Sequence, residues 1–341
     1  MLIVQKYGGS SLKDAERLRH VAGLVRDRRG EAELVVVVSA MGGTTDRLTG
    51  QAREMSPEPS ARELDALVTT GEQQSAALLV MTMEELGLPA VSLTGWQAGI
   101  MTDKTYGNGD IRLISPGRIR AELSRGRVPV VTGFQGVCAA GDVTSLGRGG
   151  SDTTAVALAA ALEADGCEIY TDVNGIYTAD PRRAARARLL PAIDTRDMLA
   201  LSRAGSRVLH AKSVELALAN AVPLRLLSSF EAGPGTDVKL LPESARPKLA
   251  GLTGKAESGR VTLAGRGADA GALSDAVLKL AAAGIAVKDA ALTENAFSVY
   301  VAPEDHQKAM QVLHDEMVLT QYEYHGNARH FAARLFTAQT D

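Results

Sequence analysis

Two stretches carry residue types that handle anions: Lys6-Tyr7-Gly8-Gly9-Ser10-Ser11, and residues 144–154, Thr-Ser-Leu-Gly-Arg-Gly-Gly-Ser-Asp-Thr-Thr. In the second, glycines let backbone N–H groups approach a ligand closely, and Arg148 offers a planar fork matched to a carboxylate or phosphate. Asp152 stands near the start of an Ala-rich helical run. In the first, Lys6 puts a cation at the end of a β-rich run, with backbone donors in the turn that follows. Phosphoryl transfer asks little covalent chemistry of a protein. It needs positive charge on the equatorial oxygens and donors positioned in advance. Read alone, each motif also has a plainer meaning: a solvated strand-end lysine, and a Gly-rich turn capped by Ser151 or Asp152. Two familiar nucleotide fingerprints are missing. No Gly-x-x-x-x-Gly-Lys-Ser/Thr occurs and no Gly-x-Gly-x-x-Gly follows the first strand, so phosphate must be held another way.

The elements that position these residues follow from hydrophobic periodicity. Leu2 to Lys6 predicts a strand that breaks at Gly8-Gly9, and Leu18, Val21 and Val25 recur at helical spacing up to Gly30. Leu34–Val38 is an all-apolar run suited to a strand buried on both faces, ending at Ser39 before a small polar loop. A long helical stretch interrupted by Thr69-Thr70-Gly71-Glu72 follows. Further strands are expected at Val91–Leu93, Val128–Thr132, Glu168–Tyr170 and Pro223–Leu227, and a helix over Ala155–Ala164. The polar clusters fall repeatedly just after strands. This alternation predicts an α/β fold with a mostly parallel sheet sandwiched by helices, and one shared site at the carboxyl edge of its strands.

Pro234, Pro242 and Pro247 with Gly233 and Gly235 suit an exposed connection. The expected division is therefore 1–232, a linker over 233–247, a small domain over 248–325 and a tail over 326–341. In the small domain, strands at Arg260–Ala264, Ile285–Asp289, Phe297–Val301 and 319–324, with helices at Ala272–Ala283 and His306–Glu316, give a ferredoxin-like βαββαβ order. His325 and His330 read as surface residues.

Among 341 residues, 37 are Lys or Arg and 40 are Asp or Glu. That balance, without a basic stripe interleaved with aromatics, argues against nucleic acid as a partner. No apolar run approaches the roughly 20 residues of a spanning helix, and no signal-peptide core opens the chain. Cys138 and Cys167, the only cysteines, each lie in an apolar extended run and read as buried free thiols. A cytoplasmic protein that handles small metabolites is expected.

Taken together, the motifs become specific. Residues 6–11 (Lys-Tyr-Gly-Gly-Ser-Ser), 39–46 (Ser-Ala-Met-Gly-Gly-Thr-Thr-Asp), 71–72 (Gly-Glu), 93–99 (Leu-Thr-Gly-Trp-Gln-Ala-Gly) and 133–136 (Gly-Phe-Gln-Gly) come in order, followed by 146–152 (Leu-Gly-Arg-Gly-Gly-Ser-Asp) and 170–182 (Tyr-Thr-Asp-Val-Asn-Gly-Ile-Tyr-Thr-Ala-Asp-Pro-Arg). The set resembles that of the aspartate kinases and covers residues 2–236. The resemblance implies a kinase domain of the amino-acid-kinase fold that transfers the γ-phosphoryl group of ATP, with Mg2+ held mainly by the nucleotide phosphates, to the side-chain carboxylate of L-aspartate. By that likeness Lys6 would stabilise the transferring group, Asp152 would hold Lys6, and Gly8, Gly9 and Ser10 would cradle phosphates. Arg148 would clamp a substrate carboxylate and Glu72 the substrate ammonium, with Ser39, Thr45, Gly149 and Ser151 completing the pocket. Thr171, Asp172, Tyr177 and Arg182 match positions that hold the nucleotide. No residue is assigned as a metal ligand.

Two departures from the family pattern stand out. Gly205-Ser206-Arg207-Val208-Leu209-His210 has Arg207 where the family usually has a lysine near the phosphates, so charge is kept with a bulkier head group. Family members generally carry two ACT domains, which bind end-product amino acids such as lysine or threonine, whereas residues 248–325 leave room for one ACT-like domain. Gly265 to Gly271 resembles the ACT strand-to-helix turn, with Ala270 where proline is common. A lone domain of this kind exposes a sheet edge and a helical face, and a homodimer through the C-terminal domain is expected. Two alternatives stay open from the sequence: a specialised kinase for another small amino-acid carboxylate, and a catalytically silent amino-acid-sensing subunit.

Overall fold

Leu2–Tyr7 and Glu33–Val38 form β1 and β2, which pair in parallel at the centre of the main sheet. Leu34 to Val38 are fully buried, as an all-apolar strand covered on both faces should be. The computed structural model describes residues 1–324; His325, His330 and the tail over 326–341 lie outside the described residues. Packing divides the chain into two units, one of Met1–Asn174 with Glu215–Gly233 and the other of Gly175–Val214 with Pro234 onward.

In chain order, α1 (Ala15–Arg29) separates β1 from β2, and α2 (Thr44–Met55), α3 (Ala61–Val68), α4 (Thr70–Glu85) and β3 (Ala90–Leu93) follow. Next come β4 (Ile100–Thr102), β5 (Ile111–Ile114), α5 (Gly117–Ser124), β6 (Val128–Thr132), β7 (Gln135–Cys138), β8 (Val143–Ser145), α6 (Gly150–Leu162) and β9 (Gly166–Thr171). The middle of the chain supplies β10 (Ala192–Asp194), α7 (Thr195–Arg203), α8 (Ala211–Ala219), β11 (Leu224–Ser228) and β12 (Thr236–Lys239). The remainder forms β13 (Gly251–Lys255), β14 (Arg260–Ala264), α9 (Ala270–Ala282), β15 (Asp289–Thr293), β16 (Ala296–Tyr300), α10 (His306–Leu313) and α11 (Leu319–Tyr324).

In the first unit the strand order is β11-β9-β1-β2-β6-β3, and every pairing is parallel. Tyr7, Val38, Thr132 and Thr171 therefore end on one edge, where open parallel sheets bind ligands. Beneath this sheet Leu18, Val21, Val25, Leu79 and Met83 pack against Tyr7, Leu34 and Val36. α1 is set by local chemistry: the Asp14 side chain accepts the Arg17 N–H at its start, and Arg26, Arg28 and Arg29 complement the dipole at its end. A second small sheet, β5-β4-β7-β8, has strands of three or four residues. Trp96, the single tryptophan of the chain, lies 38% exposed in the turn after β3. Both cysteines are buried and unbridged.

The second unit contains a parallel β10–β12 pair and a four-stranded antiparallel sheet of order β13-β14-β16-β15. Leu252, Val261, Leu263, Phe297 and Val299 of that sheet pack against Ala276 and Leu280 of α9 and Met310 and Leu313 of α10. The expected βαββαβ order is corrected in one respect. Residues 319–324 are helical, and the edge strand beside β14 comes instead from β13, ahead of it in sequence. Val318 and Tyr322, one helical turn apart, both belong to this core, and Thr320 Oγ1 and Gln321 Nε2 donate back to the carbonyls of Glu316 and Met317. The strand expected at 285–289 starts later, because Ile285 turns into the core after Gly284, which has φ +74°. Packing also groups residues differently from the linear division at 232 and 248. Ala179 and Ala184 are buried with Leu249, Leu252 and Val261, and the Leu252 N–H donates to the Thr178 carbonyl at 2.8 Å. Within 233–247, Thr236 and Val238 of β12 are fully buried. Among the described residues no helix is long and apolar enough to cross a membrane.

Candidate active site

Lys6 stands on a strand end that its neighbours hold rigid. Side chains alternate along β1, so Gln5 and Tyr7 face away from Lys6. Tyr7 stacks on Tyr170 with centroids 4.6 Å apart, and Gln5 Nε2 donates to Glu168 Oε2 at 2.8 Å. Arg28 closes that network with an ion pair to Glu168 at 2.9 Å. On the other face Lys6 Nζ meets Asp152 Oδ1 at 2.7 Å, with the two side chains 12% and 15% exposed. Asp152 occupies the first turn of α6, where the helix dipole favours a carboxylate. The turn into α6 requires glycine: Gly147 and Gly149 both have φ +72°. Close packing adds a second requirement, since a Cβ on Gly133 would lie 2.7 Å from that of Ser151. Gly8 leaves room directly beside the ammonium, its would-be Cβ being 3.5 Å from Lys6 Nζ.

Glu72 enters from the first turn of α4 and is 3% exposed. Its Oε1 accepts the Ala40 N–H at 3.0 Å, while Oε2 is buried with no hydrogen-bond partner among the described residues. Burial raises the carboxyl to about 7, against the opposing N–H bonds of Ala40 and its own backbone. This has a measurable consequence. The folded value lies above the ordinary 4.5, so the stabilisation from the bound proton is intact below pH 4.5 and is lost as pH rises towards 7. The shift corresponds to roughly 3 kcal/mol. Thermal melting of ligand-free protein should therefore show Glu72→Gln gaining on the wild type between pH 5 and 8. A difference in melting temperature that is flat with pH would remove this account.

Arg148 lies between the two left-handed glycines and is exposed, and among the described residues no carboxylate neutralises it. Lys6, Ser39, Thr45, Glu72, Arg148, Gly149, Ser151 and Asp152 line one cavity of about 220 Å³. That is below the ~300–1,000 Å³ of drug-sized ligand sites and suits a small metabolite. Its charged groups comprise one ammonium, the Asp152 carboxylate paired with it, one guanidinium, a helix N-terminus and the buried Glu72 carboxyl with a spare oxygen. Such a donor set suits carboxylate and phosphate oxygens better than a metal ion.

The other sequence-derived candidates fall nearby or elsewhere. Gly8, Gly9 and Ser10 lead out of β1 into a 3-10 turn over Gly9–Leu12. Thr171 ends β9, the strand beside β1, and Asp172 follows it; Thr171 Oγ1 donates to Asp172 Oδ1 at 3.1 Å. Tyr177, Arg182 and Arg207 belong to the second unit. There Arg182 is 88% exposed and paired with Asp180, Thr178 Oγ1 lies 2.9 Å from His314 Nε2, and Arg207 is exposed in the loop between α7 and α8. Sequence reasoning assigned no role to Ala40, Phe134 or Gly147, which also line the cavity. Phe134 has φ +69°, a strained conformation for a non-glycine residue. Its hidden support is the Thr154 hydroxyl, which accepts the Phe134 N–H at 3.1 Å. Nothing in the sequence signals that geometry.

The model of the amino acid kinase family matches residues 1–228. An aspartokinase of Mycolicibacterium smegmatis is 51% identical over 269 residues, covering 77% of this chain and 64% of the relative. One of Corynebacterium glutamicum is 51% identical over 257 residues, covering 75% and 61%. The chain thus spans less than two thirds of the length of these relatives. Among solved structures, E. coli aspartokinase III in complex with aspartate and ADP superposes with TM-score 0.81 over 93% of this chain and 100% of that one, at 20% identity, and so shares the fold. The aspartate kinase from Synechocystis, 32% identical, covers 92% of this chain and 69% of that chain with TM-score 0.65.

Proposed function

The chain belongs to the amino acid kinase family, and from that membership we propose that it is an aspartate kinase, transferring the γ-phosphoryl group of ATP to the β-carboxylate of L-aspartate to give 4-phospho-L-aspartate. One observation carries the reading. The cavity presents the spare oxygen of Glu72, the unneutralised guanidinium of Arg148 and the Lys6–Asp152 pair, three features matched in turn to an ammonium, a carboxylate and a phosphoryl group. The aspartokinase relatives, at about half identity, support the choice of acceptor.

In this reading Arg148 grips the α-carboxylate as a fork and Glu72 accepts the ammonium. Ser39, Thr45, Gly149 and Ser151 fill out the wall around them. With one N–H committed to Asp152, the Lys6 ammonium keeps two donors for the phosphoryl oxygens as negative charge builds on them. Gly8, Gly9 and Ser10 supply backbone N–H groups to the phosphates. By likeness alone, Thr171, Asp172, Tyr177 and Arg182 are assigned to the nucleotide, Asp172 on its sugar or base side, and Arg207 is assigned a catalytic role at the phosphates. Magnesium arrives on the triphosphate and adds positive charge across its oxygens; no residue here is assigned to hold it.

ADP formation that requires both L-aspartate and Mg-ATP, with the acyl phosphate trapped as its hydroxamate, is the expected result. No turnover at millimolar aspartate would defeat the proposal, and ligand binding without turnover would favour the silent sensor. The product would feed amino-acid synthesis towards lysine and threonine, and a cytoplasmic location fits a nucleotide substrate and two unbridged thiols. A homodimer through the C-terminal domain is supported by β15, whose five residues are all exposed, and by Leu278 and Leu292, 69% and 48% exposed. Sedimentation at micromolar protein, with and without lysine or threonine, tests both assembly and effector. A protomer mass throughout would remove the dimer.

A further inference from the structure

Asp65 lies outside the cavity, yet it joins the two segments that carry the opposed recognition charges. It sits on α3, 2% exposed, and among the described residues no cation pairs with it. Three donors satisfy it instead. The N–H groups of Gly107 and Ser145 reach Oδ2, each at 2.8 Å, and the Ser145 hydroxyl reaches Oδ1 at 2.7 Å. A buried carboxylate held only by neutral donors is costly to keep, so the bonds it makes have to be worth that cost.

Both arms lead to the cavity. From Ser145 the chain passes through Leu146 and Gly147 to Arg148. From Asp65 it runs along α3 to Thr69, whose carbonyl accepts from Gln135 Nε2 at 2.8 Å, and then through Thr70 and Gly71 to Glu72. The Gly107 arm braces the first of these routes. Asn108 Oδ1 lies 2.5 Å from where a Cβ on Gly147 would stand, and the Gly109 N–H donates to the Ser145 carbonyl at 2.7 Å.

We propose that Asp65 is a positioning residue that sets the separation of Glu72 from Arg148, and with it which amino-acid carboxylate the cavity accepts. The proposal rests on the aspartate-kinase reading of the cavity. An ammonium and a carboxylate on one α-carbon leave a two-point clamp little tolerance, and a misplacement of about 1 Å can cost on the order of a hundredfold.

The test is steady-state kinetics of Asp65→Ala, Asp65→Asn and Ser145→Ala, varying aspartate and ATP separately. Asp65→Ala should raise KM for L-aspartate on the order of tenfold or more while KM for ATP stays within about twofold, and should narrow the kcat/KM preference for L-aspartate over L-glutamate. Asp65→Asn should remain within about threefold of wild type, because its amide oxygen still accepts the two N–H bonds and its NH2 can donate to the Ser145 hydroxyl. A merely structural role would lower the active fraction, and so kcat, without moving KM. The proposal is overturned if KM for aspartate is unchanged in Asp65→Ala, or if both KM values rise together. Should that variant fail to fold, Ser145→Ala decides: it must raise KM for aspartate alone, by about threefold, and an unchanged value overturns the proposal. Wild-type protein without aspartate-dependent ADP formation sinks the functional reading and this inference with it. Wild-type turnover with unaltered variants sinks this inference alone.

Discussion

Replacing Lys6 with alanine is expected to lower kcat on the order of a hundredfold or more, the scale seen when one preorganised charge-stabilising group is removed. The structure explains why the loss should be large and fall on kcat. Lys6 is 12% exposed and fixed by Asp152, so its charge acts with little screening from water and needs no reorganisation as the phosphoryl group moves. The same substitution leaves Asp152 without its cation, and some stability should go with it. Turnover must therefore be read on protein shown to be folded, by circular dichroism at the assay temperature. Lys6→Arg keeps the charge but places a bulkier fork beside Gly8, and should recover only part of the rate. A kcat within about threefold of wild type for Lys6→Ala would take Lys6 out of the mechanism.

The second large effect is expected at Arg148, and on a different kinetic constant. Arg148→Ala should lower kcat/KM for L-aspartate on the order of a hundredfold, mostly through KM, since the loss is that of a bidentate charged contact. KM for ATP should hardly move. Arg148→Lys retains the charge and loses the fork, so it should fall between the two. An ammonium has no planar pair of N–H groups, so no rotamer of the lysine restores the two parallel bonds. Equal effects on aspartate and ATP would contradict the assignment of Arg148 to the acceptor. The pH dependence supplies an internal check. If Glu72 must ionise to take the ammonium, KM for aspartate should rise as pH falls below about 7, the value burial imposes on this carboxyl.

The first unit was legible because its chemistry and its folding share one signal. In a parallel sheet buried on both faces each strand is a short apolar run, and the loops that bind ligand are the polar clusters at its carboxyl ends. Lys6-Gly8-Gly9 and Gly147 to Asp152 thus belong to one edge on the sequence pattern alone. What stayed hidden depended on pairing across distance. The strands β4, β5, β7 and β8 are too short to show a period of two. Asp65 sits in Arg-Glu-Leu-Asp-Ala-Leu, which reads as an ordinary helix surface, and its partners Gly107 and Ser145 lie 42 and 80 residues away. In the second unit β13 contains two glycines and reads as a loop; it is a strand because β14 offers it an open edge. Residues 319–324 are open to a strand reading, and they are a helix in which Tyr322 packs on the same core as Val318.

Trp96 gives the chain an optical label confined to one of its two units. Excited at the red edge of indole absorption, the protein emits from that single, partly exposed fluorophore, and the second unit contributes nothing to the signal. Far-ultraviolet ellipticity, by contrast, sums over the helices of both units. Recording the two together on heating resolves whether the units melt as one cooperative body or in succession, without cutting the chain or attaching a dye.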